Sequence, residues 1–315
     1  MSESFGVGVV GAGAWGLSLA AATARNGHRT VVYSRRNEGT VPEGVERTNE
    51  LARMREARLV IVTVPSHVAR EVAIALGDHL DGRHLVVHGV RGLAGDDLET
   101  ICDVLRKETS ARRLGALGGP VLAEDLLASR PSVIVCGSAY PEVNAAVERA
   151  LGSRTLRVYT THDLRGVEWA SALVGCLAIG IGYAQAMKLG PGLSAAVITR
   201  AIGEAARIAA AAGGDERTLL GLAGYGDLLA CIAQEDRPEV RLGAALAQGR
   251  PQEEAIRAAE LRVEAVELIP RIVTWAQRNG VRTPILAALG EAVFQRTSPT
   301  ALVELLMTRP KESLS

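Results

Sequence analysis

The chain has no excess charge of either sign, and this balance excludes the usual binders of polyanions. Its 35 lysines and arginines match its 35 aspartates and glutamates, so the formal net charge is zero. A nucleic-acid-binding protein carries a basic footprint, and a protein that binds an anionic membrane carries a block of basic residues; the sequence has neither. We therefore expect a small-molecule ligand, and neither a nucleic acid nor a membrane as partner.

Cysteine is also scarce, and its spacing forms no metal or redox motif. The four cysteines are far apart, lack C-x-x-C spacing and lie among apolar residues, where buried thiols are common. They are Cys102, Cys136, Cys176 and Cys231. We expect core residues, with no disulfide and no metal site.

Signals for export and for membrane insertion are missing as well. The N-terminus passes directly into a strand-like run, without the basic region and small-residue cleavage site of a signal peptide. Glycine and charged residues interrupt the apolar stretches, so none clearly predicts a membrane span. We expect a soluble, cytoplasmic protein with a loose tail after Arg309.

What the sequence does contain is a change of pattern near residue 160. At 315 residues the chain exceeds the size at which one core usually stops growing, so two domains are expected. Up to that point, unbroken Val/Ile runs alternate with helical segments, as in a parallel sheet covered on both faces. The predicted strands span residues 5–10, 29–36, 58–66, 84–90, 131–138 and 156–161.

Beyond residue 160, Ala, Leu and Gly recur at helical spacing and strand-like runs disappear. The sequence therefore predicts an α/β plus all-α protein. Its N-terminal domain, residues 1–160, is a Rossmann-type, doubly wound parallel sheet that binds NAD(P). Residues 161–315 form an all-helical substrate and dimerisation domain.

A glycine-rich loop joins the first predicted strand to the first predicted helix. Gly11, Gly13 and Gly16 form the G-x-G-x-x-G pattern, with Ala14 and Trp15 inside it. The first glycine permits a tight turn, the second a close approach of a pyrophosphate, and the third close packing of helix on strand. The surrounding strand, helix and second strand favour a dinucleotide site over an ordinary turn.

The end of the second predicted strand bears on which dinucleotide binds. An acidic residue there would bind the ribose 2′-hydroxyl of NAD, but the sequence has Ser34, Arg35 and Arg36. These residues favour a 2′-phosphate, and therefore NADP, or tolerance of both NADP and NAD. The alternative is that the two arginines are only a solvated edge.

The segment VPSH at 64–67 follows the third predicted strand, at the edge that faces the ligand crevice in an open α/β sheet. Pro65, Ser66 and His67 are therefore candidates for the cofactor site. The alternative is a simple helix start with Ser66 as its N-cap.

Six long motifs follow one another along the chain: GAGAWG, VPSHVAREV, HGVRGL, LGGPVLAED, LGPGLSAAVITRA and GLAGYGDLLAC. Together they resemble bacterial NAD(P)-dependent glycerol-3-phosphate dehydrogenase. The resemblance implies a Rossmann domain, a helical substrate domain, a cleft between them and, because this family is often dimeric, a homodimer. It also implies cofactor contacts from Pro65, Arg91, Ala123, Arg237 and Glu264.

The sequence departs from the family at polar residues that the family uses. Val174 stands where the family has a lysine that donates or accepts the proton at the C2 oxygen, and Gly175 stands in place of an asparagine. Arg91 replaces a substrate-binding lysine, and Val121 replaces a substrate-binding serine. The family's basic phosphate clamp is reduced to DRPEVRLG, in which only Arg237 is a candidate match.

These losses concern the proton at the reacting oxygen. Reduction of a ketone leaves an alkoxide that must be protonated or stabilised as it forms, and loss of a general acid typically costs about 10²–10⁴ in rate. Candidates for the missing group are Asp227, Lys188 and Arg91, with His88 as a weaker option. The simpler interpretations are a solvated helix end for Lys188, a cofactor phosphate contact for Arg91 and a satisfied strand-end histidine for His88.

Three functions are compatible with this pattern. The first, which we prefer, is an NAD(P)-dependent oxidoreductase that transfers hydride between nicotinamide and a small carbonyl or hydroxy substrate other than glycerol 3-phosphate. Val121, Val174 and Gly175 would give a pocket of similar shape but apolar character, which suits a new substrate. The second is a catalytically inactive homologue that binds NAD(P) as a sensor or partner protein. The third is residual glycerol-3-phosphate dehydrogenase activity supported by Arg91 and Asp227.

Overall fold

The computed structural model describes residues 5–36, 39–260 and 262–294. The tail after Arg309, which the sequence predicts to be loose, lies outside these residues. Within them, one sheet with its covering helices is followed by a part built of helices alone. The change falls between Thr161, where the last strand ends, and Leu164, where the longest helix begins.

The described part of the chain forms eight strands in one sheet. In chain order they are β1 (Val7–Val10), β2 (Thr30–Tyr33), β3 (Val45–Thr48), β4 (Leu59–Val62), β5 (Leu85–His88), β6 (Arg113–Gly118), β7 (Ser132–Gly137) and β8 (Leu156–Thr161). Their order across the sheet is β3-β2-β1-β4-β5-β6-β7-β8. The connections change direction between β1 and β4, and in an open α/β sheet the ligand crevice lies at such a point.

The predicted doubly wound, mainly parallel sheet is confirmed, with one difference. Strands β6 and β7 run antiparallel, with Leu117 opposite Cys136. The sequence does not predict β3 or β6. The segment VERT of β3 carries charges typical of an edge, and the arginine and glycines of RLGALG weaken the strand pattern in β6.

Helices cover both faces of the sheet. They are α1 (Ala14–Arg25), α2 (Ala69–Gly77), α3 (Ile101–Glu108), α4 (Ala123–Leu127) and α5 (Pro141–Leu151). Successive side chains of a strand point to opposite faces. Accordingly, Val9 of β1 packs in one apolar cluster with Leu19 of α1 and Val143 of α5, whereas Val10 packs in a second cluster with Ala73 of α2.

The remaining described helices form the C-terminal part. They are α6 (Leu164–Ala186), α7 (Pro191–Ala211), α8 (Glu216–Leu220), α9 (Asp227–Ile232), α10 (Pro238–Ala247), α11 (Gln252–Ala258), α12 (Ala265–Arg278) and α13 (Pro284–Val293), with a π-helical turn at Leu222–Gly226 before α9.

Helix α6 is the centre of this part. Its N-cap is Asp163, whose side chain accepts a hydrogen bond from the Gly166 N–H, and its residues from Gly166 to Ile179 are all buried. A helix that is apolar all round is typical of a core. Among the described residues, α6 is the helix long and apolar enough to cross a membrane, but 89% of that stretch is buried inside the protein, as in a core helix.

Candidate active site

A cleft of about 640 Å³ lies between the carboxyl ends of the central strands and the helical part. Its sheet side includes Gly11 and Gly13 after β1 and Arg91 after β5. Its helical side includes Gly175 of α6 and Glu239 of α10. The cleft therefore joins the glycine loop to residues that the resemblance places near the substrate.

The glycine loop has the geometry that a dinucleotide loop requires. Gly11 has a φ of +117°, which residues with a side chain rarely adopt. A Cβ on Gly16 would collide with the carbonyl oxygen of Gly11, so glycine is needed for α1 to pack this closely. Gly13 precedes α1 without a side-chain cap, and no described atom lies within 4 Å of where its Cβ would be. The loop thus fits a pyrophosphate held by the first amides of α1.

Several predicted cofactor contacts lie beside the cleft and not in its wall. Ala14, Trp15 and Gly16 form the first turn of α1, and Ala123 begins α4. Residues 11–13 are the part of the glycine-loop motif that lines the cleft in the described structure. Ala123 lies outside this wall, at the first residue of α4, and its contact with the cofactor stays a prediction.

Ser34, Arg35 and Arg36 lie in the wall of the cleft, where β2 ends. Both arginines are exposed. Strand β2 pairs in parallel with β1, so their carboxyl ends, and with them these arginines and the glycine loop, are neighbours. Two guanidinium groups at this edge suit the additional phosphate of NADP.

Ser66 and Glu264 connect the two parts of the chain beside the cleft. The backbone N–H of Ser66 donates to Glu264 Oε1 at 2.7 Å, and Glu264 lines the cleft together with Pro65. The second carboxylate oxygen, Oε2, is buried and has no hydrogen-bond partner in the described residues. A buried acceptor of this kind in a cleft wall fits a hydroxyl or amide donor of a bound cofactor.

Ser66 does not act as an N-cap, which corrects the alternative interpretation of the VPSH segment. A short 3₁₀ turn spans Ser66–Val68 with Pro65 at its cap, and α2 begins after Val68. Neither start has a side-chain cap. His67 is exposed and does not belong to the described cleft wall.

Four charged side chains meet beside the cleft, and two of them, Arg91 and Glu239, belong to its wall. Arg91 Nη1 lies 3.1 Å from Asp227 Oδ2. Arg237 donates from Nη1 and from Nη2 to Asp227 Oδ1, each at 3.2 Å, and its Nε lies 3.6 Å from Glu239 Oε2. The Asp227 side chain is 3% exposed, whereas that of Arg91 is 31% exposed toward the cleft that it lines. The structure thus brings Arg91, Asp227 and Arg237 together.

The carboxylates hold Arg91 as a permanent cation. Burial lowers the pKa of Arg91, but the attraction of Asp227 and Glu239 outweighs this effect and raises the pKa above its ordinary value. Burial also raises the pKa of the nearby Cys231 thiol to about 11. Arg91 is therefore able to stabilise a negative charge but not to give up a proton.

Val174, at the position of the family's lysine, is fully buried in the helical core. The surface that α6 presents to the cleft comes instead from Ala172 and Gly175. A Cβ on Gly175 would lie 3.3 Å from Arg91 Cδ and 3.4 Å from Arg91 Cγ. The stem of the Arg91 side chain therefore lies directly over α6 at Gly175.

Lys188 does not reach the cleft, which corrects its candidacy as a proton donor. It is exposed and follows the last residue of α6, Ala186, by two positions. With the rise of an α-helix, it lies roughly 20 Å along the chain direction from Gly175. Its backbone φ of +52° also turns the chain there toward α7.

His88 has no part in the cleft either. Its ring is buried, its Nδ1 accepts from the Val90 N–H at 3.3 Å, and its Nε2 therefore carries the ring proton and donates to Glu168 Oε1 at 3.0 Å. The Cys102 N–H donates to the same oxygen at 2.8 Å. Both ring nitrogens are engaged in a contact that joins β5, α3 and α6, so His88 is a satisfied strand-end histidine.

The four cysteines are all buried and free.

The sequence does not identify Glu239 as a site residue. Glu239 lies in the first turn of α10, directly after Pro238, in the segment where the resemblance leads one to look for cations. The sequence signal that points to Glu239 is an acidic residue in the first turn of a helix, directly after a proline.

Two family models match the chain. The model for the N-terminus of NAD-dependent glycerol-3-phosphate dehydrogenase matches residues 6–50 and 37–144, and the model for its C-terminus matches residues 163–304. The glycerol-3-phosphate dehydrogenase [NAD(P)+] of Desulfitobacterium hafniense is 30% identical over 97% of this chain and 92% of its own length. That of Synechococcus elongatus is 33% identical over 98% of each chain.

Solved structures are similar over the same length. The crystal structure of glycerol-3-phosphate dehydrogenase from Coxiella burnetii superposes with a TM-score of 0.89 at 25% identity, covering 97% of this chain and 99% of that one. The glycerol-3-phosphate dehydrogenase of Saccharomyces cerevisiae, at 18% identity, shares the fold with a TM-score of 0.85, covering 96% of this chain and 99% of that one.

Proposed function

Because the chain belongs to the NAD-dependent glycerol-3-phosphate dehydrogenase family, we propose that it interconverts a small hydroxy compound and its carbonyl form, and that this substrate is less anionic than glycerol 3-phosphate. The reaction takes place in the cleft between the glycine loop and Arg91. NAD or NADP is the cofactor, and its bound nicotinamide supplies or accepts the hydride.

The charge balance of the cluster formed by Arg91, Asp227, Arg237 and Glu239 beside the cleft carries the part of the proposal that concerns the substrate. Arg91 and Arg237 contribute two positive charges, and Asp227 and Glu239 contribute two negative charges at pair distances of 3.1, 3.2 and 3.6 Å. A phosphate dianion requires a surplus of cationic donors to repay its desolvation. An uncharged or singly charged substrate has no such requirement.

Each part of the chain has its own task in this proposal. Residues 1–160 hold the cofactor through the glycine loop and the arginines at the end of β2. Residues 161–315 supply the substrate side through α6, α9 and α10. The homodimer and the cytoplasmic location expected from the sequence stay predictions.

Glycerol 3-phosphate itself is the second candidate substrate. The observation in its favour is the similarity, over nearly the full length, to relatives named as glycerol-3-phosphate dehydrogenases. For this substrate to bind at the charged cluster, its phosphate dianion would have to share Arg91 or Arg237 with the carboxylates that hold them.

A matched pair of ketones distinguishes the two candidates. Dihydroxyacetone and dihydroxyacetone phosphate differ only in the phosphate, and each is tested with NADPH and with NADH. A higher kcat/KM for dihydroxyacetone supports the proposal, and a higher kcat/KM for the phosphate ester supports glycerol 3-phosphate. If neither compound nor hydroxyacetone is reduced although calorimetry detects cofactor binding, the result supports the inactive NAD(P)-binding homologue and counts against the proposal.

A further inference from the structure

We infer that Arg91 performs the electrostatic task of the family's missing lysine: its guanidinium binds the oxygen of the reacting carbon, and Gly175 makes room for it. The inference rests on the proposed oxidoreductase function and names the group that stabilises the alkoxide. Two separate features carry it, namely the fit of Arg91 over Gly175 and an unused donor at the end of the Arg91 side chain.

Gly175 leaves the space that the stem of Arg91 fills. A Cβ at position 175 would lie 3.3 Å from Arg91 Cδ, 3.4 Å from Arg91 Cγ and 3.9 Å from Glu239 Oε1. A methyl group at 3.3 Å already requires the arginine to shift slightly, and a side chain as large as asparagine requires a larger displacement. Since Val174 is buried in the core, α6 offers no cation of its own at this level. Arg91 and Gly175 therefore act as a compensating pair.

The guanidinium keeps a donor for a ligand. Arg91 Nη1 is close to Asp227 Oδ2, at 3.1 Å, but the two atoms are not aligned as a hydrogen bond. Both atoms are buried and without another hydrogen-bond partner in the part of the chain that the structure describes. Nη1 therefore faces Asp227, whereas the side chain as a whole is 31% exposed and lines the cleft, so a substrate oxygen there can accept a charge-assisted hydrogen bond from the rest of the guanidinium.

Asp227 positions this donor. Its Oδ1 accepts from both terminal nitrogens of Arg237, which fixes the carboxylate, and its Oδ2 then faces Arg91. Asp227 thus acts through Arg91 and is not required as a proton donor.

The chemistry of reduction assigned to Arg91 is electrostatic. A bound reduced nicotinamide would supply the hydride by breaking one of its own C–H bonds and becoming oxidised, so that a C–H bond forms at the carbonyl carbon and the π-electron pair of the C=O bond moves to oxygen. The Arg91 guanidinium donates a hydrogen bond to this alkoxide. Because Arg91 does not release its proton, a water molecule protonates the alkoxide and leaves as hydroxide. In oxidation, hydroxide removes the hydroxyl proton and the electron pair of the C–H bond leaves as hydride.

Variants of Arg91 and Gly175 in the full chain test this role. Arg91→Met removes the cation and keeps an extended stem, and we expect kcat for ketone reduction to fall by about 10²–10³ with an unchanged Kd for NADPH. Gly175→Asn keeps the arginine but occupies its space, and a similar fall is expected. The controls are Arg106→Met, an exposed arginine paired with Asp103, and Gly203→Ala on an open stretch of α7. An Arg91→Met enzyme with wild-type kcat overturns the inference.

A binding measurement separates this inference from the proposed function. Glycolate serves as a stable small oxyanion, and calorimetry gives its Kd for protein saturated with NADP. We expect wild type to bind glycolate about 10- to 100-fold more tightly than Arg91→Met, and Arg91→Lys to retain most of the affinity. Equal affinities, or no binding to wild type, overturn the role of Arg91. Arg91-dependent glycolate binding by a protein that reduces no ketone supports the role and contradicts the proposed function.

Discussion

The backbone N–H of Ser66 donates a 2.7 Å hydrogen bond to Oε1 of Glu264, a residue 198 positions further along the chain. Ser66 follows β4, and Glu264 immediately precedes α12. This bond therefore connects the sheet to the helical part at the wall of the cleft. It leaves Glu264 Oε2 as a buried acceptor for a ligand.

Glu264→Gln tests whether this second oxygen binds the cofactor. Glutamine keeps an acceptor for the Ser66 N–H but replaces the charged acceptor with an amide donor. We expect the Kd for NADPH, measured by fluorescence titration, to rise by about 10-fold or more. Glu267→Gln changes an exposed glutamate one turn along α12 and serves as the control. An unchanged Kd in Glu264→Gln would show that Oε2 does not contact the cofactor.

The arginines at the end of β2 should set the preference between NADP and NAD. In an Arg35→Ala, Arg36→Ala double variant, we expect the Kd for NADPH to rise by about 10- to 100-fold and the Kd for NADH to change little, since only NADPH carries the 2′-phosphate. Arg29→Ala removes an exposed arginine at the opposite end of β2. Equal losses for both cofactors would contradict a 2′-phosphate contact.

The buried strands and the glycine loop could be predicted because local rules decide them. Strands β1 and β4 and the first three residues of β5 are unbroken apolar runs, and a strand covered on both faces requires such runs. The edge strand β3 has no such requirement, and its charged sequence gave no signal. The antiparallel pairing of β6 with β7 depends on the path of the chain between them, which composition does not encode.

The charged cluster was harder to predict because it depends on contacts between distant residues. The resemblance located Arg91, Asp227 and Arg237 separately, but not that Asp227 lies between the two arginines. The resemblance indicates only that Gly175 replaces an asparagine. The structure shows that the Arg91 side chain occupies the space beside Gly175. Lys188 failed as a candidate because sequence proximity to a motif does not place a side chain in the cleft.

Buried thiols should make the fold sensitive to alkaline pH. Burial raises the pKa of Cys136 to about 12 in the folded protein, above its ordinary value of 9.0. A raised folded-state pKa gives stability that is complete below pH 9 and is lost as the pH rises toward 12. Above pH 9, this thiol should make the free energy of unfolding fall by about 1.4 kcal/mol per pH unit. The Cys136→Ala variant should lack this contribution, so its stability should decrease less steeply with pH.

Urea unfolding between pH 8 and pH 10.5 measures this slope, with the difference between wild type and Cys136→Ala at pH 8 as the reference for lost packing. Parallel lines for the two proteins across this range would contradict a raised pKa for Cys136. The other buried thiols continue to contribute in both proteins, so the comparison concerns the difference in slope alone.

Glu239→Gln tests the charge balance on which the substrate proposal rests. The substitution keeps the shape of the side chain, which is 13% exposed, and removes one of the two negative charges opposite Arg91 and Arg237. The cluster then carries a net positive charge, so an anionic substrate should bind better. We expect KM for dihydroxyacetone phosphate to fall by about 10-fold relative to that for dihydroxyacetone, which corresponds to roughly 1.4 kcal/mol. Glu235→Gln, an exposed glutamate before α10, is the matched control. If Glu239→Gln lowers KM equally for both ketones, charge balance does not determine the choice of substrate.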